Sequence, residues 1–390
     1  MAFEFLLSER SESLIGQEMF KVLEKAKMLE RQGNQIFHLE LGDPHYNPPK
    51  EVISETIKSL KLGEVGYTSS AGIDDLRAAI AKQYSLNHNK NITKDRVVIS
   101  TANFLITQFL EIVCNKKDSV VIFTPAFPTY LASSNYIHLK LIDIPLQCQN
   151  GFDLTFESVD LAIKKSPKVI IVNSANNPTG AVYRKEVLEY LAKKALEHNI
   201  YILSDETYAE LSYNKFYYSL LNLNQPNVLV ISSFSKVFSI PGFRVGFAIG
   251  HKKIIDKLIL SNSTLFSCLP IFTQKGCLAA VRHIKKNTFQ LKKNIQTLSS
   301  LVVKEINRSK SLRCSLPDSA FYLFIDISKL KKNDIDFCHY LLTKHHVAVT
   351  AGRSFGKEFS QHIRISICGP RNDVLEGVER LIECADKLYV

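Results

Sequence analysis

Lys236 stands in Ser233-Phe234-Ser235-Lys236, directly after the apolar run Val228 to Ser232, and Arg244 follows eight positions on in Pro241-Gly242-Phe243-Arg244-Val245-Gly246. An amine at a strand end, flanked by hydroxyls and near a fixed cation, suits a partner that bears a phosphate. Desolvation and neighbouring cations lower a lysine pKa, and the neutral amine can then form an imine with an aldehyde. Arg244, Ser233 and Ser235 would hold the phosphate through charge-assisted hydrogen bonds, each worth about 1.5 to 3 kcal/mol. For this segment taken alone, a surface lysine in a polar loop is the alternative.

The elements that would position this lysine are short. β-branched apolar runs recur at Val97 to Ser100, Val120 to Phe123, Leu139 to Ile144, Val169 to Asn173, Ile200 to Ser204, Val228 to Ser232 and Val245 to Ile249, with helical stretches between them. That alternation predicts an α/β fold with a mostly parallel sheet flanked by helices, whose ligands lie beyond the carboxyl ends of the strands. Met19 to Gln32 has helical spacing and ends at Gly33, Ile36 to Leu41 alternates as a strand, and Gly42-Asp43-Pro44 with Asn47-Pro48-Pro49 makes a loop. Beyond about Leu260 the pattern shifts to long helices, Gln290 to Asn307 the clearest, and strands at Phe321 to Ile327, Val347 to Thr350 and Ile363 to Ile367. The expected organisation is an N-terminal arm with part of a small domain (1–45), a large cofactor-binding domain (46–280) and a C-terminal segment (281–390). The small α+β domain draws on both chain ends.

Composition narrows the function classes. Hydrophobic residues make up 45% and charged residues 22%, as in a folded globular protein. The net charge of +11 comes from scattered lysine pairs such as Lys116-Lys117 and Lys292-Lys293 rather than a basic run, so no nucleic-acid partner is expected. No apolar stretch approaches a membrane span. Eight cysteines without a C-x-x-C pair, after an N-terminus lacking a secretory signal, point to a cytoplasmic protein with reduced thiols and no metal site.

S-x-S-K followed by G-x-R-x-G resembles the lysine motif of fold-type I aminotransferases, the class I/II, aspartate-aminotransferase-like superfamily that uses pyridoxal 5'-phosphate (PLP). Asn176-Asn177-Pro178-Thr179-Gly180 resembles its N-P-T-G turn, Asp205-Glu206-Thr207-Tyr208 its D-x-x-Y, and His362-Ile363-Arg364-Ile365-Ser366 its C-terminal arginine strand. The resemblance runs in order from Gly42 to Arg364, nearly the whole chain. It implies that Lys236 carries PLP, that Asp205 keeps the pyridine nitrogen protonated, and that Asn177 and Tyr208 bond the ring oxygen. It also implies that Phe127 stacks on the ring, that Arg364 clamps the substrate carboxylate, and that Gly42 and Asn177 border the substrate. Taken singly, Asp205 could be a helix cap, the Asn177 segment a turn, Arg364 a salt-bridged strand residue and Phe127 a core residue. Tyr67, in Gly66-Tyr67-Thr68-Ser69, resembles the tyrosine that reaches the phosphate of a neighbouring subunit, which implies a homodimer with shared sites. A partly buried loop aromatic is the alternative there.

The pattern also departs from the family. Where its phosphate loop is glycine-rich, this chain has Thr101-Ala102-Asn103-Phe104, so Ala102 must keep a negative φ. Phe104 stands near the position at which some aspartate-specific members place a lysine. Ser174-Ala175 lacks the usual proline, Ala351 stands where proline is typical, and Ser319 replaces a common glycine. The expectation is an aminotransferase acting on an amino acid and a 2-oxo acid, not specific for aspartate and favouring an apolar, aromatic or specialised side chain. A PLP-dependent lyase, cyclase or decarboxylase, and a non-catalytic PLP-binding protein, remain the alternatives.

Overall fold

The computed structural model describes residues 5–389, and the side chains of all of these but 285–287. Residues 1–4 of the expected arm and residue 390 lie outside the described residues. A short helix at Glu9–Glu12 is followed by the helix Glu18–Arg31 and the short strand β1 (Phe37–His38). Then come β2 (Val97–Ser100), β3 (Ser119–Thr124), β4 (Lys140–Pro145), β5 (Val169–Asn173), β6 (Tyr201–Asp205), β7 (Val228–Ser233) and β8 (Gly246–Ile249). These seven form one sheet in the order β2-β8-β7-β6-β5-β3-β4, parallel from β7 to β4, with β8 antiparallel to both its neighbours.

Every residue of β2 and β5 is buried, as are the four residues of β8. Both faces of such strands are covered by helices, which explains why they read as continuous apolar runs instead of alternating ones. Because β8 runs against both β2 and β7, all the other strands point the same way. Their carboxyl ends therefore meet at one edge, where Asn173 is in register with Asp205, and Ser233 and Ser100 both face Gly246. Gly246 is tightly constrained there: a Cβ would lie 2.8 Å from the Ser232 carbonyl and 2.9 Å from the Ala102 amide.

The C-terminal strands are β9 (Arg313–Cys314), β10 (Tyr322–Asp326), β11 (Val347–Ala348), β12 (Thr350–Ala351) and β13 (His362–Ser366). Four of them form an antiparallel sheet in the order β12-β13-β10-β9, and β11 pairs in parallel with β1 from the other end of the chain. The strand expected over Ile36 to Leu41 is ladder-paired only at Phe37 and His38. The reason is that the Glu40 carbonyl serves side chains, accepting from the Thr350 hydroxyl at 2.9 Å and from the Arg364 guanidinium. Among the described residues no helix is long and apolar enough to cross a membrane.

Candidate active site

A concave cavity lies past the carboxyl ends of β5, β6 and β7, the usual place for a ligand in an open α/β sheet. Asn173, Asp205 and Ser233 line it from the sheet, Asn177, Tyr208, Lys236 and Arg244 from the loops that follow, and Tyr322 and Arg364 from the C-terminal sheet. Gln17, Met19 and Phe20, at the start of the Glu18–Arg31 helix, close it from the N-terminal side.

Lys236 belongs to the one-turn helix Phe234–Val237, whose Ser233 cap accepts from the Ser235 amide at 3.2 Å. Its amine donates to the Gly42 carbonyl at 2.6 Å, a neutral acceptor. Burial is the main cause of its lowered pKa; Arg364 and Arg244 add to the fall, while Asp43 and Cys368 oppose it. The geometry thus holds an amine that gives up its proton more readily than an exposed lysine.

Asp205, at the end of β6, is buried. One carboxylate oxygen accepts from the Tyr130 hydroxyl at 2.8 Å, and the other accepts from the Thr207 hydroxyl at 2.7 Å and the Thr207 amide at 3.1 Å. Burial raises its pKa, against the pull of those hydrogen bonds. Its two oxygens are oriented by neutral donors, which leaves the carboxylate suited to a cation entering the cavity.

Arg364 is 0% exposed. Its guanidinium donates to Asn177 Oδ1 at 3.2 Å, to Thr350 Oγ1 at 3.3 Å and to the Glu40 carbonyl, while Nε has no hydrogen-bond partner among the described residues. The rings of Tyr322 and Phe355 flank it, with centroids 4.5 and 4.9 Å from the guanidinium carbon. A fully buried cation held by uncharged groups is a place for an anion.

The remaining end of the cavity is formed by the first turn of the helix Ala102–Val113, whose Thr101 cap makes no side-chain bond to the first amides. Ala102 is the first helical residue and keeps a negative φ, the condition under which alanine can replace glycine there. Ala102, Asn103, Ser233, Ser235 and Arg244 surround this end. Arg244 occupies the left-handed region at φ 57° and donates to the Pro241 carbonyl at 2.8 Å. Exposed amides at a helix start, two hydroxyls and a guanidinium form an anion cradle.

Phe104 is a correction. Its ring is not in the cavity but packs edge-on against Phe266, centroids 5.4 Å apart, and the side chain this turn offers to the cavity is the amide of Asn103. Phe127 lines the cavity, edge-on to Tyr130 at 5.8 Å. Tyr67 is 93% exposed and does not line this chain's own cavity. Sequence reasoning missed Tyr130, whose hydroxyl orients Asp205, and Tyr322, whose hydroxyl lies 2.8 Å from that of Tyr208. It also missed the covering residues Met19 and Phe20. Tyr130 follows Phe127 by one helical turn, which is the only local signal it carries.

The sequence model of the family described as "Aminotransferase class I and II" matches residues 34–381. The (5-formylfuran-3-yl)methyl phosphate transaminase of Methanocaldococcus jannaschii is 31% identical over 98% of this chain and 100% of its own length. The aspartate aminotransferase of Thermotoga maritima is 31% identical over 93% of each chain. Among solved structures, a tetra mutant of Thermus thermophilus aspartate aminotransferase complexed with tryptophan superposes with a TM-score of 0.93 at 26% identity, covering 98% of this chain and 100% of that one. A family match over most of its length, joined to this fold and a transaminase relative that spans it, shows that the chain belongs to the class I and II aminotransferases, enzymes that depend on pyridoxal 5'-phosphate.

Proposed function

We propose that the cavity holds PLP with its aldehyde at Lys236, its ring nitrogen at Asp205 and its phosphate at Ala102, Asn103, Ser233, Ser235 and Arg244. The group fits the residues present: the buried Asp205 carboxylate is met only by neutral donors, and the Lys236 amine bonds a carbonyl rather than a carboxylate. When bound, PLP supplies an aldehyde and an electron-withdrawing ring.

The chain's own residues do the rest. Lys236, with its lowered pKa, moves the proton at the substrate Cα. Asp205, oriented by Tyr130 and Thr207, holds a proton on the ring nitrogen. Asn177 and Tyr208 would donate hydrogen bonds to the ring oxygen, and Phe127 would pack on the ring. Arg364 binds the α-carboxylate of the amino acid and of the 2-oxo acid in turn, beside Gly42 and Asn177. The observation that carries this reading is the fully buried Arg364, whose Nε has no partner among the described residues, opening on the same cavity as Lys236.

The enzyme is not specific for aspartate. The cations lining the cavity are Lys236, Arg244 and Arg364, each already assigned, and the first-turn position contributes the amide of Asn103. Met19, Phe20 and Leu41 make the approach apolar. The tryptophan complex of the Thermus tetra mutant supports this fold's capacity for an aromatic side chain. The working form is a cytoplasmic homodimer, with the exposed Tyr67 of each subunit reaching the phosphate end of the other site.

Mixing the PLP-loaded protein with single amino acids tests the function. An accepted donor removes the visible absorbance of the cofactor, and a 2-oxo acid then restores it. Recovery of the absorbance without any 2-oxo acid, as the amino acid is consumed, identifies a lyase, cyclase or decarboxylase instead, and no response to any amino acid identifies a protein that only binds PLP.

A further inference from the structure

The segment from His38 to Gly42 has an outer and an inner side. On the inner side the Glu40 carbonyl accepts from the Arg364 guanidinium and from Thr350, and the Gly42 carbonyl accepts from Lys236. On the outer side the Glu40 carboxylate is fully buried, with Oε2 lacking any hydrogen-bond partner among the described residues. Its other oxygen, Oε1, lies 2.9 Å from His38 Nδ1. A buried carboxylate with so little compensation is costly unless its partner is charged. His38 meets that need: its Nε2 lies 3.1 Å from Glu30 Oε1, so both ring nitrogens face carboxylates, and only the imidazolium satisfies both. In agreement, Glu40 above all, with Glu30, raises the His38 pKa to about 9 against the opposing effect of burial. Glu30 lies on the Glu18–Arg31 helix, whose first turn carries Met19 and Phe20 over the cavity.

We infer that His38 is a positioning residue for carboxylate binding. Its bridge between Glu40 and Glu30 fixes the backbone carbonyl that aims Arg364 and ties that carbonyl to the helix covering the site. The inference rests on the reading of Arg364 as the carboxylate clamp. His38 itself touches neither substrate nor cofactor; it acts through the place of the Glu40 carbonyl. Losing the bridge loosens Arg364 and the covering helix together, so binding of both the amino acid and the 2-oxo acid weakens while the proton-moving apparatus at Lys236 is left in place.

The test compares PLP-loaded wild type, His38→Ala, His38→Arg and Glu30→Gln. Glu30 is exposed on the helix surface, so its variant folds even if His38→Ala does not. In His38→Ala the KM for donor and acceptor rises about tenfold, with kcat changed by less than about twofold, and Glu30→Gln shows a smaller rise of the same kind. The Kd for 2-methylalanine, which has a carboxylate but no Cα hydrogen, rises in parallel when followed by cofactor absorbance. PLP affinity is unchanged, and His38→Arg recovers part of the loss. Unchanged KM and 2-methylalanine Kd in a folded, PLP-loaded His38→Ala, or in Glu30→Gln if the former does not fold, overturn the inference, as does a loss confined to kcat. Arg364→Lys is the separating control: if it also leaves both constants unchanged, the clamp reading has failed, and if it raises them while the His38 and Glu30 variants do not, only this inference has.

Discussion

The hydroxyl of Tyr208 lies 2.8 Å from that of Tyr322, two side chains 114 residues apart in sequence that join the large sheet's loops to the C-terminal sheet inside the cavity. Both are buried, and burial raises both pKa values, that of Tyr322 to about 12, so both stay neutral through the working range. Tyr322→Phe leaves the Tyr208 hydroxyl without this partner. The cofactor-free protein should lose about 1 to 3 kcal/mol of stability in urea, whereas the PLP-loaded protein, in which Tyr208 bonds the ring oxygen, should lose less. Equal losses in the two forms would remove the cofactor role given to Tyr208.

Glu206 provides a pH test independent of catalysis. Its carboxylate is buried and accepts from Ser204, Ser219 and the Leu220 amide, yet burial still raises its pKa from 4.5 to about 7. The folded protein therefore keeps this proton over a window in which the unfolded chain has released it. Stability falls as pH rises from 4.5 to about 7, by an amount on the order of 3 kcal/mol. Glu206→Gln should show less of this fall than wild type when urea unfolding of the cofactor-free proteins is compared across the window; parallel slopes would contradict the assignment.

Shared sites have a distinctive signature in mixtures. Lys236→Ala alone is inactive, and Tyr67→Ala alone binds PLP weakly. If Tyr67 serves the partner's site, a hybrid dimer of the two variants has one site free of both substitutions. Refolding them together should then produce activity that neither has alone, at most about a quarter of the wild-type value for random pairing. Absence of any gain, with hybrid dimers detected by mass, would mean that Tyr67 does not serve the partner's site.

Much of this architecture was legible because the strands of the large sheet are covered on both faces. Runs such as Val97 to Ser100 and Val169 to Asn173 are strands with the same bounds in the structure. Lys236, Asp205 and Asn177 could be picked out because each ends or follows such a strand within a local pattern, and Arg364 because it sits inside the apolar strand His362–Ser366. Ala102, Asn103 and Phe104 were read together as cofactor-side residues, but at a helix start neighbouring side chains point about 100° apart, and Ala102 and Asn103 line the cavity while the Phe104 ring packs against Phe266. Tyr130 and Tyr322 left no usable trace, since their partners Asp205 and Tyr208 lie 75 and 114 residues away. His38 and Glu40 looked like alternating strand residues, and only the pairing of β1 with β11 and the crossing of Arg364 show what that segment holds.

The most direct measurement is borohydride reduction of the PLP-loaded protein followed by peptide mass analysis. One stable pyridoxyl group is expected on the side-chain nitrogen of Lys236, absent in Lys236→Ala. A label on a different lysine, or cofactor that washes away after reduction, would contradict it.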